Sequence, residues 1–387
     1  MLRGRLDLED LGPDTGLVGI AGSRTQLTTP ALVLDLDRLE QNIETMAEHC
    51  KSLGLSLRPH AKTHKSLRIA RLQMQAGAVG ICCATVGEAD VMIAGGIPSV
   101  LVTSPVVQPA KIERLVTLNL AASELIVVVD NPRNVADLGV AAGAAPKPLK
   151  VLVDLDVGLG RTGVASVEDG VLLARIVRDT GGLELAGVQA YCGHAQHIEG
   201  FDSRAEVSLE QLRRVTALVS ALEKDGMKPR IVTGGGTGTY DIDHRAGVFT
   251  ELQAGSYTVM DVEYGDVELK QGASTSPFEP ALFVQTTVIS NNARGMVTTD
   301  AGLKRFATDG PKPRIARGAP AGAVYGFSGD EHGCVIFADQ DQTLPLGAIV
   351  ECIVPHCDPT VNLYDHYHCV RGDELVAIWP VDARGAV

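Results

Sequence analysis

A lysine amine attacks a carbonyl only after shedding its proton, and partial desolvation lowers its pKa enough to allow that. Lys62 lies in the segment RPHAKTHK (58–65), just past an apolar run, with His60 and His64 two residues to either side. In that position it can form a Schiff base, and the two histidines can carry protons near neutral pH. A basic surface loop would show the same residue types, so on this segment alone the two readings stand level. A second segment, TGGGTGT (233–239), also closes an apolar run. Its four glycines and three threonines let backbone N–H groups and hydroxyls surround a phosphate at close range. Thr233, Gly235, Gly236, Thr237, Gly238 and Thr239 are candidate contacts, and AGSY (254–257) adds Gly255, Ser256 and Tyr257. Taken alone, glycine-rich loops are more often plain turns. This one lacks the GK[ST] of a P-loop and the strand–glycine–helix spacing of a dinucleotide fingerprint, so it implies one small phosphate and not ATP or NAD.

A covalent lysine anchor and a monophosphate cradle at one mouth are what pyridoxal 5'-phosphate (PLP) requires. Arg161, in DLDVGLGRTG (154–163), is a candidate partner for the cofactor's phenolate oxygen. Tyr191, in QAYCGHAQH (189–197), could neighbour the pyridine nitrogen; a core tyrosine with a satisfied hydroxyl is the competing reading. His194 and His197 could be ligands, but as a pair at i, i+3 they are expected to line the cleft. Much later in the chain, HCD (356–358) follows another apolar run. If that run is a strand, its period of two puts His356 and Asp358 on one face, able to hold a divalent ion. The donor pair suits Mn²⁺ or Mg²⁺, with Zn²⁺ as the alternative. Cys357 competes as a ligand if the strand bulges, and a simple turn would also read H-x-D. A further polar cluster, DEHG (330–333), has no assigned role.

These groups need a scaffold that gathers distant segments. Eight apolar runs, at 55–59, 79–83, 99–103, 125–129, 150–154, 186–191, 230–233 and 251–254, alternate with helical patterns. Their Val, Ile and Leu interiors do not alternate with polar residues, as expected of parallel strands covered on both faces. Asp37 is a candidate cap for a helix through Lys51, with Leu39, Ile43 and Met46 on one face, and 203–225 reads as a second long helix. The fold class predicted is α/β: a (β/α)8 TIM-like barrel over 25–265, followed by a smaller, mainly antiparallel β-domain over 266–387. The second domain is read from short alternating runs at 281–289, 348–353 and 374–378, and residues 1–24 are expected to pack on it. In such barrels chemistry sits at the C-terminal strand ends, and phosphate on the loops after strands seven and eight. The two glycine-rich loops fall there.

Composition narrows the function classes. The chain has 387 residues and a formal net charge of −13, which disfavours nucleic acid as a partner. No apolar run approaches the roughly 20 residues that span a bilayer, so no membrane association is expected. The N-terminus has no apolar core of a secretory signal. The eight cysteines are scattered, with no C-x-x-C pair, and read as reduced thiols of a cytoplasmic protein.

Together RPHAKTHK, GICCATVGEA, VDLDVGLGRTGV, QAYCGHAQH, TGGGTGTY, ELQAGSYTVMD, DAGLK, DEHG and HCDPTVNLYD resemble the D-threonine aldolase and 3-hydroxy-D-aspartate aldolase family, alanine-racemase-like PLP enzymes of fold type III. The resemblance runs from about residue 29 to residue 385. It implies that Lys62 carries PLP, that the glycine-rich loop holds its phosphate, and that His356 and Asp358 are metal ligands. It also implies a homodimer acting on a small D-3-hydroxy amino acid. Aldolases of this group carry H-x-D at the metal, whereas the related D-threo-3-hydroxyaspartate and D-serine dehydratases tend to carry H-x-C, so His356 and Asp358 favour aldol cleavage. The rivals are a dehydratase giving a keto acid and ammonia, a metal-free racemase, and a non-catalytic PLP carrier. There are three departures from the family pattern, the first two at strand ends where they bear on the substrate. Ala84-Thr85 replaces Gln-Lys, Ser104-Pro105 replaces Asn-Glu, and one residue is missing before His356.

Overall fold

The computed structural model describes residues 11–273 and 275–387. Among them, eight strands form a parallel sheet: β2 (Ser56–Leu57), β3 (Ile81–Cys83), β4 (Ser99–Val102), β5 (Glu124–Val129), β6 (Leu149–Asp154), β7 (Leu183–Ala190), β8 (Ile231–Gly234) and β9 (Glu251–Leu252). The hydrogen-bonded order is β2-β9-β8-β7-β6-β5-β4-β3. The seam closes where Val79 N–H donates to Leu57 O, Cys82 N–H to Pro59 O and Ala61 N–H to Cys82 O. The eight runs read from the sequence are these eight strands, and the fold is the TIM-like barrel. Their lack of alternation has a simple cause. Leu101, Ile126, Val128 and Leu152 fill the barrel interior, while Val100, Val127, Val151 and Val153 pack beneath the helices, so both faces are dry.

One end of the interior is charged. The Arg58 guanidinium donates to both Glu251 carboxylate oxygens at 2.8 and 3.3 Å and to Ser99 Oγ at 2.7 Å, and Ser99 in turn donates to Glu124. This network ties β2 to β4, β5 and β9, the seam from which Lys62 and Gly255 project.

A second sheet is mostly antiparallel and runs β13-β14-β11-β10-β1-β16-β17, with β15 pairing β10 and β12. Its strands are β1 (Ala31–Asp35), β10 (Leu282–Ser290), β11 (Met296–Thr299), β12 (Arg314–Arg317), β13 (Val324–Phe327), β14 (Gly333–Ile336), β15 (Ile349–Ile353), β16 (His366–Arg371) and β17 (Glu374–Pro380). β1 was not anticipated. It falls inside the stretch read as barrel, yet it pairs antiparallel with β10 and parallel with β16. From β1 the chain therefore passes out of the second sheet, crosses into the barrel through α1 (Leu36–Ser52), and returns. The α1 cap also differs from expectation. Asp35 accepts from Arg38 N–H, while Asp37 sits in the first turn.

Residues 11–24 lie on the second sheet. Gly19 N–H donates to Leu375 O, and the buried Arg24 guanidinium meets Glu351 at 2.8 and 2.9 Å. Residues 1–10, also expected there, fall outside the described residues. No helix among the described residues is long and apolar enough to cross a membrane.

Candidate active site

The C-terminal strand ends enclose a cavity of about 270 Å³. Lys62 reaches it from beyond β2, Ser104 from beyond β4, Arg161 from the loop after β6, and Tyr191 from the end of β7. Gly235, Gly236 and Thr237 line it after β8, and Gly255 and Ser256 after β9. Ala84 and Ser104, two of the departures from the family pattern, also face it, so both are placed to shape a substrate pocket. Thr85 is instead a helix cap, its hydroxyl accepting from Glu88 N–H at 3.1 Å. A larger groove, about 540 Å³, runs along α1 past residues 55–57 and 77–79, at the opposite strand ends, away from where barrels do chemistry.

The second domain completes the site. Asp358 ion-pairs with Lys62 through its Oδ1 and accepts from Thr63 Oγ1 at 3.1 Å through its Oδ2. Burial alone would lower the Lys62 pKa, but the Asp358 carboxylate more than reverses that. Burial alone would raise the Asp358 pKa, and Lys62 with His356 holds it well below the ordinary carboxylate range. The two domains thus meet through the pair of residues that the sequence marks for chemistry.

His356 and Asp358 do come together, with Nε2 and Oδ2 3.9 Å apart, but the geometry that predicted it is wrong. β15 stops at Ile353; His356 is the N-cap of the short helix Cys357–Val361, and Asp358 stands in its first turn. Pro359 fits a first helical turn, where its missing N–H costs nothing. Metal bonds of about 2.0–2.6 Å let donor atoms this far apart share one ion. Asp309 Oδ2 accepts from His356 Nδ1 at 2.8 Å, which fixes the ring and leaves Nε2 free as a ligand. Glu263 Oε2 lies 3.9 Å from the same Nδ1. Asp309 and Glu263 escaped the sequence reading because nothing local sets them apart from surface acids. Cys357, the competing ligand, is buried, its N–H donating to Asp261 Oδ2.

His60 lines the cavity, but both ring nitrogens are engaged. Nδ1 accepts from Lys62 N–H, and Nε2 meets Thr103 Oγ1 at 3.0 Å. Burial pushes its pKa down to about 3. His64 lies outside the cavity lining: Ser66 N–H donates to its Nδ1, Gln73 Oε1 meets its Nε2, and burial lowers its pKa to about 4. In this arrangement both rings brace the lysine loop through their hydrogen bonds. The histidine near the ionic cluster is His197, read earlier as merely lining the cleft. Its ring packs at a tilt against Tyr264, centroids 4.7 Å apart, its Nδ1 lies 4.0 Å from Glu263 Oε2, and burial lowers its pKa.

The phosphate loop divides. Gly235, Gly236 and Thr237 face the cavity, whereas Gly238 N–H donates to Gln196 Oε1 and the Thr239 hydroxyl donates to Asp243, so those two brace the turn. Thr233 is fully buried beneath it. Tyr257 is core: its hydroxyl accepts from Gln73 and its N–H donates to Thr237 Oγ1. A bulkier residue at the lining glycines would force a neighbour to shift. A Cβ on Gly236 would stand 2.4 Å from Gln196 Oε1, and one on Gly255 would stand 2.8 Å from Thr63 Oγ1. Bare backbone at these points, facing a cavity that also holds an amine and a guanidinium, fits a phosphate on one side and a carbonyl on the other. Arg161 stacks over the Tyr191 ring at 5.4 Å. Its loop is held by Asp154, whose Oδ2 accepts from the Thr162 hydroxyl and whose pKa burial raises to about 6.

A barrel whose mouth presents a lysine and a glycine cradle, closed by an antiparallel domain that supplies an aspartate, is the architecture of the alanine-racemase-like enzymes. The family model described as the alanine racemase N-terminal domain matches residues 34–262, and that of a putative serine dehydratase domain matches 281–370. The chain is 38% identical to the 3-hydroxy-D-aspartate aldolase of Paracoccus denitrificans (strain Pd 1222) over 93% of both chains. The crystal structure of D-threonine aldolase from Filomicrobium marinum matches with a TM-score of 0.90 at 39% identity, covering 94% of this chain and 97% of that one. Identity falls to 26% for the D-threo-3-hydroxyaspartate dehydratase of Delftia sp. (strain HT23), over 91% of this chain and 97% of that one. The chain belongs to the alanine-racemase-like family, in the group that holds the D-threonine and 3-hydroxy-D-aspartate aldolases.

Proposed function

We propose that the protein is a PLP- and divalent-metal-dependent lyase that cleaves D-3-hydroxy amino acids, of the D-threonine or 3-hydroxy-D-aspartate type, into glycine and an aldehyde. The observation that carries this reading is the ion pair between Lys62, which lines the cavity, and Asp358, with His356 Nε2 3.9 Å from the same carboxylate. Greater similarity to the aldolases than to the dehydratase supports the carbon–carbon cleavage.

Lys62 would hold the cofactor covalently, with Gly235, Gly236, Thr237, Gly255 and Ser256 around its phosphate. Arg161 and Tyr191 would border its ring. His356 and Asp358 would hold the ion, Mn²⁺ or Mg²⁺ by the hardness of the donors, with Zn²⁺ as the alternative. When bound, PLP supplies an electron sink for the charge left at Cα, and the metal lowers the pKa of the 3-hydroxyl. The chain's own residues do the rest. Asp358 and His356 would hold the metal, His197 would accept the hydroxyl proton, Asp309 fixes the His356 ring, and His60 holds the lysine loop through its backbone. A homodimer in the cytoplasm belongs to the same reading. The family supports the first, and eight free, buried cysteines support a reducing compartment.

The test is a Lys62→Ala variant reconstituted with PLP. It should lose both the absorbance of lysine-bound cofactor and glycine release from D-threonine. An unchanged spectrum would remove Lys62 from the role, and wild-type protein that releases a keto acid and ammonia instead would favour the dehydratase.

A further inference from the structure

Outside the cavity lining, a second set of metal-binding side chains converges. His49, Asp241 and His244 each present a ligand atom, all within 4.8 Å of one another. His49 is in the last turn of α1. Asp241 and His244 stand on the turn that leaves the phosphate loop, either side of Asp243.

The local hydrogen bonds prepare these groups as ligands. The carbonyl oxygen of Tyr240, which can only accept, lies 3.1 Å from His49 Nε2. The ring proton therefore sits on Nε2, and Nδ1 offers its lone pair toward Asp241 Oδ1, 3.9 Å away. A histidine that donates one ring N–H to a backbone carbonyl is the usual arrangement of a metal-ligating imidazole. The 3.9 Å gap is too long for a hydrogen bond, yet one ion with bonds of about 2.0–2.2 Å would span it. His244 Nδ1 is shielded from solvent and has no hydrogen-bond partner among the described residues. Burial lowers the pKa of both histidines, against the opposing pull of Asp241, with Lys270 acting on His49 and Arg245 on His244 in the same direction as burial. The His49 and Asp241 side chains remain 18% and 20% exposed, which leaves room for water in the open coordination positions.

We propose that His49, Asp241 and His244 form a second metal site, for a borderline divalent ion of the Zn²⁺ class, that clips α1 to the turn behind the phosphate loop. Two imidazoles and one carboxylate favour such an ion over Mg²⁺, whereas His356–Asp358 offers a single imidazole. The clip bears on the cradle because Asp243, between two of the ligands, accepts from the Thr239 hydroxyl at 2.6 Å. The site is independent of the aldolase reading.

Equilibrium dialysis of full-length, PLP-loaded, chelator-stripped protein against Zn²⁺ tests it, with bound zinc counted by elemental analysis. An Asp358→Asn chain should keep one equivalent of zinc, and adding His49→Gln, His244→Gln or Asp241→Asn should remove it. His49→Gln retains an amide donor for the Tyr240 carbonyl, so the turn keeps its hydrogen bond. Co²⁺ gives a second readout: the visible absorption of Co²⁺ bound to the Asp358→Asn chain should be lost on adding His49→Gln. The site is overturned if the Asp358→Asn chain binds no zinc, or if the three added substitutions leave the bound zinc unchanged.

Discussion

Replacing Arg58 with methionine tests how the barrel supports its lysine. Arg58 and Glu251 are 3% and 4% exposed, and the guanidinium is bidentate on the carboxylate. Methionine fills much of the volume but strands a carboxylate in the barrel interior, and breaking a buried pair on one side costs about 3–5 kcal/mol. At roughly 2.1 cal/mol/K of unfolding entropy per residue, the 387-residue chain melts with about 0.8 kcal/mol/K, so Tm should fall by about 4–6 °C. The loss should shrink when Glu251→Leu is added, because an apolar pair then replaces an orphaned charge; coupling in the double-mutant cycle should reach at least about 2 kcal/mol. Urea unfolding followed by circular dichroism at fixed PLP gives the four stabilities. The reasoning fails if Arg58→Met lies within about 1 kcal/mol of wild type, or if the double variant is no more stable than the single one.

The remaining predictions concern the site. Asp243 is fully buried and its pKa is raised to about 6, so the native state holds this proton more tightly than the unfolded chain. Its contribution therefore weakens stability as pH rises through the window from about 4 to 6, by at most about 3 kcal/mol, and Asp243→Asn should flatten that part of the stability–pH curve. Gly236→Ala should weaken PLP binding about ten-fold, as expected if the loop yields one phosphate hydrogen bond to clear Gln196; fluorescence titration would show it. Chelation should abolish aldehyde release, with Mn²⁺ restoring it in wild type and not in Asp358→Ala. His197→Gln should lower kcat far more than it changes PLP absorbance, while His64→Gln should act chiefly on thermal stability.

Much of this was legible in the sequence where burial is unambiguous. Parallel strands dry on both faces show as unbroken Val and Ile runs, and their ends then locate Lys62, Arg161, Tyr191 and the glycine loop. β1 was hidden because Asp35 is both its last residue and the cap of α1, so strand and helix fuse into one apolar stretch with no turn between them. β12 was hidden because it is largely exposed and carries arginine at both ends. His356 and Asp358 were recognised as a pair for the wrong geometric reason, since a residue spacing of two does not say whether the backbone is strand or helix cap. The roles of His60 and His64 depended on hydrogen bonds to Thr103 and Gln73, partners that only the folded chain brings near.

Proton NMR of the products tests the central claim most directly. PLP-loaded protein with Mn²⁺ would be given D-threonine and, separately, D-3-hydroxyaspartate. The account predicts glycine and the matching aldehyde from at least one of them, with no ammonia. A keto acid with ammonia, or inversion at Cα with the carbon skeleton intact, would contradict it.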